Sequence, residues 1–467
     1  MPRRPSPSLA ALLLPALMLS ACGTDPAPEQ PLAPAALKAV GRHPGAPREK
    51  LAKAIDALFT RKDVGETRAV LVLHDGAIAA ERYEDGYGPS TKFLGWSMAK
   101  TVTGVLVGVL VAEGRLRLDD SPPIPAWQRP GDPRGGITLR QLLQMRSGLR
   151  HKENSEPLYD SGEVRMLFRD GRDDMAAWAE AQPLAHAPGR VFTYSTPTGV
   201  ILSDIAARVL APGGTPDARR QAMAQFFASR LAGPLNAPSF TPEYDAAGTM
   251  IGGSMIWASA RDWGKFGEML RHKGSVNGAQ LIPRAWAEFM TRPSPRAPDY
   301  GAMLWLNRTS GGERDELFAR QGPPDAFALV GHLGQYVIVS PSQRLTIVRL
   351  GKTDGKDRPA LVRALTPDLK GLGALGDDQF ICTAPGERTD VVSRVFVPGG
   401  GVDEDSVTGS AHAALTPFWA SRLGRDRFTA HQASRRGGDL ACRLEADQAW
   451  LGGECVTVVE GAFYLEG

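Results

Sequence analysis

The chain has 467 residues, of which 42% are apolar and 22% charged, and a formal net charge of +3. Such a length suggests three units at about 150 residues each, with enough apolar surface for real cores, which excludes a disordered or fibrous chain. So small a net charge, with no lysine/arginine block, gives no electrostatic footprint for nucleic acid.

Pro2-Arg3-Arg4 is a short basic region, and Leu9 to Leu19 is an apolar stretch too short to span a bilayer as a mature helix. It ends at Leu19-Ser20-Ala21-Cys22, which resembles a bacterial lipobox. The resemblance implies a signal peptide over residues 1–22, cleaved before Cys22, with the thiol and the new amine lipidated. Gly23 follows the cysteine with no aspartate directly after it, which favours the outer membrane and a periplasm-facing lipoprotein of the bacterial cell envelope. Residues 23–46 carry Pro26, Pro28, Pro31, Pro34 and Pro44 and read as a disordered tether. Beyond Cys22 only Cys382, Cys442 and Cys455 remain; one pair could bridge, and the spacing does not choose it.

From Ala69 to Leu73 and from Ala77 to Glu81, two apolar runs flank Asp75-Gly76, a hairpin signal. Ser97-Met98-Ala99-Lys100 then opens a mostly apolar helix from about Lys100 to Glu113. A serine three residues ahead of a lysine puts hydroxyl and amine on one helix face. Burial disfavours the charged form of the lysine, so the amine can take the hydroxyl's proton. Taken alone, the spacing also fits an ordinary helix start. Ile137 to Leu149 has helical periodicity ending at Gly148, and another helix is predicted from Thr196-Pro197, a cap followed by proline, with Tyr194 on its entry turn. Ser259-Ala260-Arg261-Asp262 resembles a capping box. The runs Tyr336 to Val339 and Leu345 to Leu350, joined by a polar turn, predict an antiparallel pair.

In that order and spacing, these features over residues 47–354 are similar to the serine β-lactamase and penicillin-recognising superfamily, in its class C-like branch of esterases, D-aminopeptidases and 6-aminohexanoate-dimer hydrolases. Ser97 and Lys100 stand at the nucleophile and lysine positions. Tyr194-Ser195-Thr196 stands for Tyr-x-Asn, and His332-Leu333-Gly334 for Lys-Thr-Gly. Gly252-Gly253, Tyr300-Gly301 and Leu304-Trp305 extend the match. The resemblance implies an α+β fold, a five-stranded antiparallel sheet flanked by helices beside a helical region. It makes Ser97 the acylated nucleophile, Lys100 its base and Tyr194 a proton carrier. The backbone N–H groups of Ser97 and Gln335 would form the oxyanion hole, with His332 and Gly334 on the cleft floor. Thr196 in place of asparagine and the absent Lys-Thr-Gly both depart from the lactamase pattern.

Residues 358–467 carry a second resemblance. Val395 to His412, with Pro398-Gly399-Gly400-Gly401, Asp403-Glu404-Asp405 and Gly409-Ser410, is similar to the phenazine-biosynthesis-type isomerase family, related to diaminopimelate epimerase. Only its C-terminal half is matched, half of an epimerase-like α+β barrel. That family implies cleft roles for Asp405 and Ser410, with the Gly409-Ser410 backbone at a helix start holding a carboxylate. Ala360 to Leu365 can stand for the final helix of the hydrolase fold.

The reading is a lipid-anchored serine hydrolase of small amides or esters, carrying half of an isomerase-type domain. A β-lactamase or D,D-peptidase, an isomerase, and a decayed non-catalytic envelope protein are the rivals. No His-Glu-x-x-His, paired Cys-x-x-Cys or Gly-rich phosphate loop is present, so no metal or nucleotide cofactor is expected. The expected partners are the substrate and a membrane.

Overall fold

The computed structural model describes residues 32–453, apart from 33, 43, 45, 46, 313, 315, 320, 374–379, 397–406, 435 and 447. Cys22, Asp405 and Cys455 lie outside the described residues. Cys382 and Cys442 are both free thiols.

The hairpin at Asp75-Gly76 joins β1 (Glu66–His74) to β2 (Ala77–Tyr83), with Asp75 and Gly76 both at positive φ. β3 (Trp305–Leu306), β4 (Phe327–Gly331), β5 (Gln335–Ser340) and β6 (Leu345–Lys352) complete an antiparallel sheet in the order β2-β1-β6-β5-β4-β3. It has six strands where five were expected, because the two residues Trp305 and Leu306 pair with Ala328 and Phe327. Leu71 faces Val348, and Val348 faces Val337. These side chains share one face, because alternate residues of a strand point the same way.

Six helices matter here: α1 (Arg48–Thr60), α2 (Ala99–Ala112), α3 (Thr196–Leu210), α4 (Ala260–Arg271), α5 (Arg358–Gly373) and α6 (Gly409–Leu423). α4 presses on the Leu71–Val348–Val337 face through Gly264 and Gly267; a Cβ at either would lie 2.6–2.9 Å from Leu71, Leu73, Thr346 or Val337. Ser259 caps α4, its Oγ accepting from the Asp262 N–H. The Asp262 carboxylate turns to Ser239 and Lys265 instead of back to the cap, so the capping box is half formed. α2 is buried on nearly every side, and α3 packs beside it.

Three further expectations are corrected. The helix predicted over Ile137–Leu149 spans only Leu139–Leu143, with a full capping box between Thr138 and Gln141. Met145 adopts positive φ and the Arg146 N–H returns to the Gln141 carbonyl, so the helix stops six residues short of Leu149. Ser195, not Thr196, caps α3: its Oγ accepts from the Thr198 N–H. Finally, part of the supposed tether is folded. Pro34–Lys38 is a helical turn burying Ala36, and Val40 bridges Ala80 beside β2. The prolines lower the average hydropathy of that stretch, yet Ala36 and Val40 find apolar partners.

α5 follows the sheet directly and contributes Leu361 and Leu365, both at most 1% exposed, to the hydrolase core. Beyond it, β7 (Phe380–Pro385), β8 (Val391–Phe396), β9 (Arg427–Gln432), β10 (Gly438–Glu445) and β11 (Gln448–Gly452) form a second sheet in that order, with β8 and β9 parallel. Its own small core gathers Val391, Phe428 and Leu440 with Leu415 and Trp419 of α6. Gly409 and Ser410 open α6. The buried set Ser393, Thr408, His412 and Gln432 ties that helix start to the sheet.

Candidate active site

Ser97 lies in a single tight turn, Trp96–Met98, that leads into α2. Trp96 has a φ of 48°, a costly conformation for so large a side chain, and it hands the chain sharply from β-like backbone to helix. One turn on, Lys100 is 1% exposed. Its Nζ lies 2.8 Å from Ser97 Oγ, 2.8 Å from Thr196 Oγ1 and 2.8 Å from the Gly253 carbonyl. The last contact requires glycine: a Cβ at Gly253 would fall 2.4 Å from the Thr196 carbonyl. Burial lowers the lysine's pKa, opposed by the charges of Glu153 and Glu163.

Tyr194, on the entry to α3, sets its ring 4.9 Å from Lys100 Nζ. Burial, then Tyr300 and Glu153, raise its pKa well above that of an ordinary phenol, and the neighbouring Ser97 hydroxyl opposes them. Tyr300 and Trp305 pack against its ring at centroid distances of 5.9 and 5.2 Å.

The opposite wall is the edge formed by β4, the turn His332–Gly334 and the start of β5. Leu333 and Gly334 both have positive φ. His332 stands edge-on to Trp96 at 5.4 Å, and burial lowers its pKa, with the charge of Arg358 adding to the effect. Gln335 begins β5, and its side chain is spent on the backbone of Gly351, His332 and Leu333. Arg358 from α5 also lines the cleft, paired with Glu316 and donating to the Tyr336 hydroxyl.

Ser97, Tyr194, His332 and Gly334 line one cleft of about 360 Å³. Lys100 lies beneath it, and Gln335 adjoins its turn. Sequence reasoning missed two carboxyls in this cleft. Glu153 takes both the N–H and the hydroxyl of Thr196, at 2.6 and 2.5 Å. Glu163 is raised to about 7 by burial and by Glu153 beside it. No local signal marks either one: Glu153 sits in a polar loop 43 residues from Thr196. Of the second resemblance's residues, Asp405 falls outside the described residues, and Gly409 and Ser410 stand at the helix start expected of them.

A buried amine on a hydroxyl, a phenol ring at the same centre and a sheet edge across the cleft thus meet in one place. The chain belongs to the β-lactamase family, whose model matches residues 55–368. A second model, described as phenazine biosynthesis-like protein, matches residues 358–461. Among solved structures, a "putative 6-aminohexanoate-dimer hydrolase" from Bacillus anthracis is similar at a TM-score of 0.55 and 21% identity, over 68% of this chain and 82% of that one. A penicillin-binding protein homolog from Caulobacter crescentus is similar at a TM-score of 0.50 and 17% identity, over 71% and 99%. At such identities the likeness is one of fold. The chain is also similar to curated proteins over parts of its length. An "uncharacterized isomerase" of Pseudomonas aeruginosa is 49% identical over 104 residues, 22% of this chain and 40% of its own length. A human phenazine biosynthesis-like domain-containing protein is 33% identical over 142 residues, 29% of this chain and 49% of its own. The chain thus spans less than half the length of these relatives.

Proposed function

We propose that this protein is a serine hydrolase that cleaves a small amide or ester through an acyl-enzyme on Ser97. The observation that carries the reading is the 2.8 Å contact between Ser97 Oγ and the amine of Lys100, itself 1% exposed. The Oγ–carbon bond forms as Lys100 takes the serine proton. The backbone N–H groups of Ser97 and Gln335 hold the oxyanion, each such donor being worth about 3 kcal/mol. The carbon–nitrogen or carbon–oxygen bond then breaks, and Tyr194 passes the proton to the leaving group. Water, deprotonated through the same groups, releases the acid and restores Ser97.

Thr196 in place of asparagine and His332 in place of lysine favour simple amides and esters over penicillins or peptidoglycan. The Leu19–Cys22 stretch supports a lipid anchor in the cell envelope. Intact-mass analysis after treatment with a fluorophosphonate should show one adduct, mapped to Ser97 and absent from Ser97→Ala; an unmodified wild-type chain would refute the reading. Turnover of a p-nitrophenyl ester with little turnover of nitrocefin should accompany it. Fatty-acid labelling of cells should mark the wild-type chain and not Cys22→Ala.

A further inference from the structure

The hydrogen bonds around Lys100 have a direction, and following it leads to Glu153. A neutral lysine amine has two N–H donors and one lone pair. Three groups surround it: Ser97 Oγ, Thr196 Oγ1 and the Gly253 carbonyl. The carbonyl can only accept. A hydroxyl could either accept from the amine or donate into its lone pair. At Thr196 that choice is closed, because its single proton is turned to the carboxylates, to Glu153 Oε1 at 2.5 Å with Glu163 also in reach of the hydroxyl, while its N–H goes to Glu153 Oε2. Both amine protons are therefore taken, by Thr196 and by Gly253, and the lone pair is left facing Ser97.

We propose that Glu153 is a positioning residue for catalysis: by holding the Thr196 hydroxyl as an acceptor, it aims the unprotonated face of the Lys100 amine at Ser97. This deepens the serine-hydrolase reading and rests on it. Thr196 stands where the family has asparagine, so the pair Glu153–Thr196 is this chain's own way of orienting the base. The bland alternative is that Glu153 only secures the first turn of α3, where a carboxylate on an N–H is favourable in any helix. The groups facing Lys100 are Glu153 and Glu163, whose charges favour its protonated form, and the Tyr194 phenol.

The test is the rate of Ser97 modification by a fluorophosphonate as a function of pH. The Oγ–phosphorus bond forms, fluoride leaves, and the serine proton goes to Lys100. In Glu153→Gln, one of the two acceptor oxygens becomes an NH2 group that faces a Thr196 donor, and the charge is gone. The plateau rate should fall roughly 10- to 100-fold, a part of what a well-placed base supplies. The acid limb should move to lower pH, because the lost carboxylate no longer favours the ammonium. Thr196→Val should fall similarly, and Thr196→Ser, which keeps the hydroxyl, should stay close to wild type. Circular dichroism and thermal melts check that each variant folds; if Glu153→Gln does not, the valine–serine comparison decides. Wild-type rate and pH dependence in Glu153→Gln or Thr196→Val would overturn the proposal, as would a serine variant as slow as the valine one. A wild-type chain that is not modified at Ser97 would instead remove the hydrolase reading, and this inference with it.

Discussion

Under the proposed mechanism Lys100 is the base, and another cation should not replace it. Lys100→Ala should lower kcat/KM by roughly 10²–10⁴, the range of a lost general base. Lys100→Arg should not restore it, because a guanidinium does not give up its proton and is too broad for a site closed on three sides at 2.8 Å. Steady-state kinetics on a p-nitrophenyl ester would check both. His151, beneath the same wall, makes a pH prediction. It is buried between the Ser195 hydroxyl and the Ala179 carbonyl, and that burial holds its pKa down to about 4. The unfolded chain, near 6.5, binds the proton more readily. The neutral histidine therefore contributes stability above about pH 6.5 that is lost as pH falls toward 4, about 3 kcal/mol in all. Urea denaturation at pH 7 and pH 4.5 should show the gap between wild type and His151→Gln narrowing at the lower pH. At this scale the sequence was informative only where chemistry sits in a short motif. Ser97 and Lys100 are neighbours along the chain. Glu153 meets Thr196 only because its loop folds onto the first turn of α3, and nothing in its own surroundings foretells that.

Among the elements, β6 does more than complete the sheet. Arg349 on that strand is fully buried and donates to Thr67 Oγ1 and to the carbonyls of Gly334, Val64 and Glu66. It thus ties β1 and the cleft turn at Gly334 to one strand. Arg349→Met should destabilise the fold by about 3 kcal/mol or more, since several buried carbonyls lose their donor together; chemical denaturation would measure it. Gly253→Ala should displace the Thr196 backbone and slow Ser97 modification, with a smaller effect on the melting temperature. The hairpin at Asp75-Gly76, α2, α4 and the β5–β6 pair were legible because their signals are local: a turn dipeptide, a cap, a periodic run. The helix over Ile137–Leu149 was overread because periodicity does not register that the buried Gln144 binds Arg146 while Met145 turns left-handed. β3 was missed because two residues form a strand only when β4 is already there to pair with.

At the scale of the whole molecule, two family matches meet in one chain, and α5 lies where they meet. Its Leu361 and Leu365 are buried in the hydrolase core, and Arg358 lines the cleft. A chain ending after Gly373 should keep the melting behaviour of the hydrolase body and its Ser97 modification. One ending after Asp354 should lose both, since each buried leucine is worth roughly 1.5–3 kcal/mol against a total stability of about 5–15. Thermal melts and adduct mapping on the two truncations would decide.

Residues 358–368 are claimed by both family models. A single stretch of letters therefore satisfies two family patterns at once. Because Leu361 and Leu365 of that stretch are already committed to the first core, a substitution there is felt by that core whatever the C-terminal sheet would tolerate.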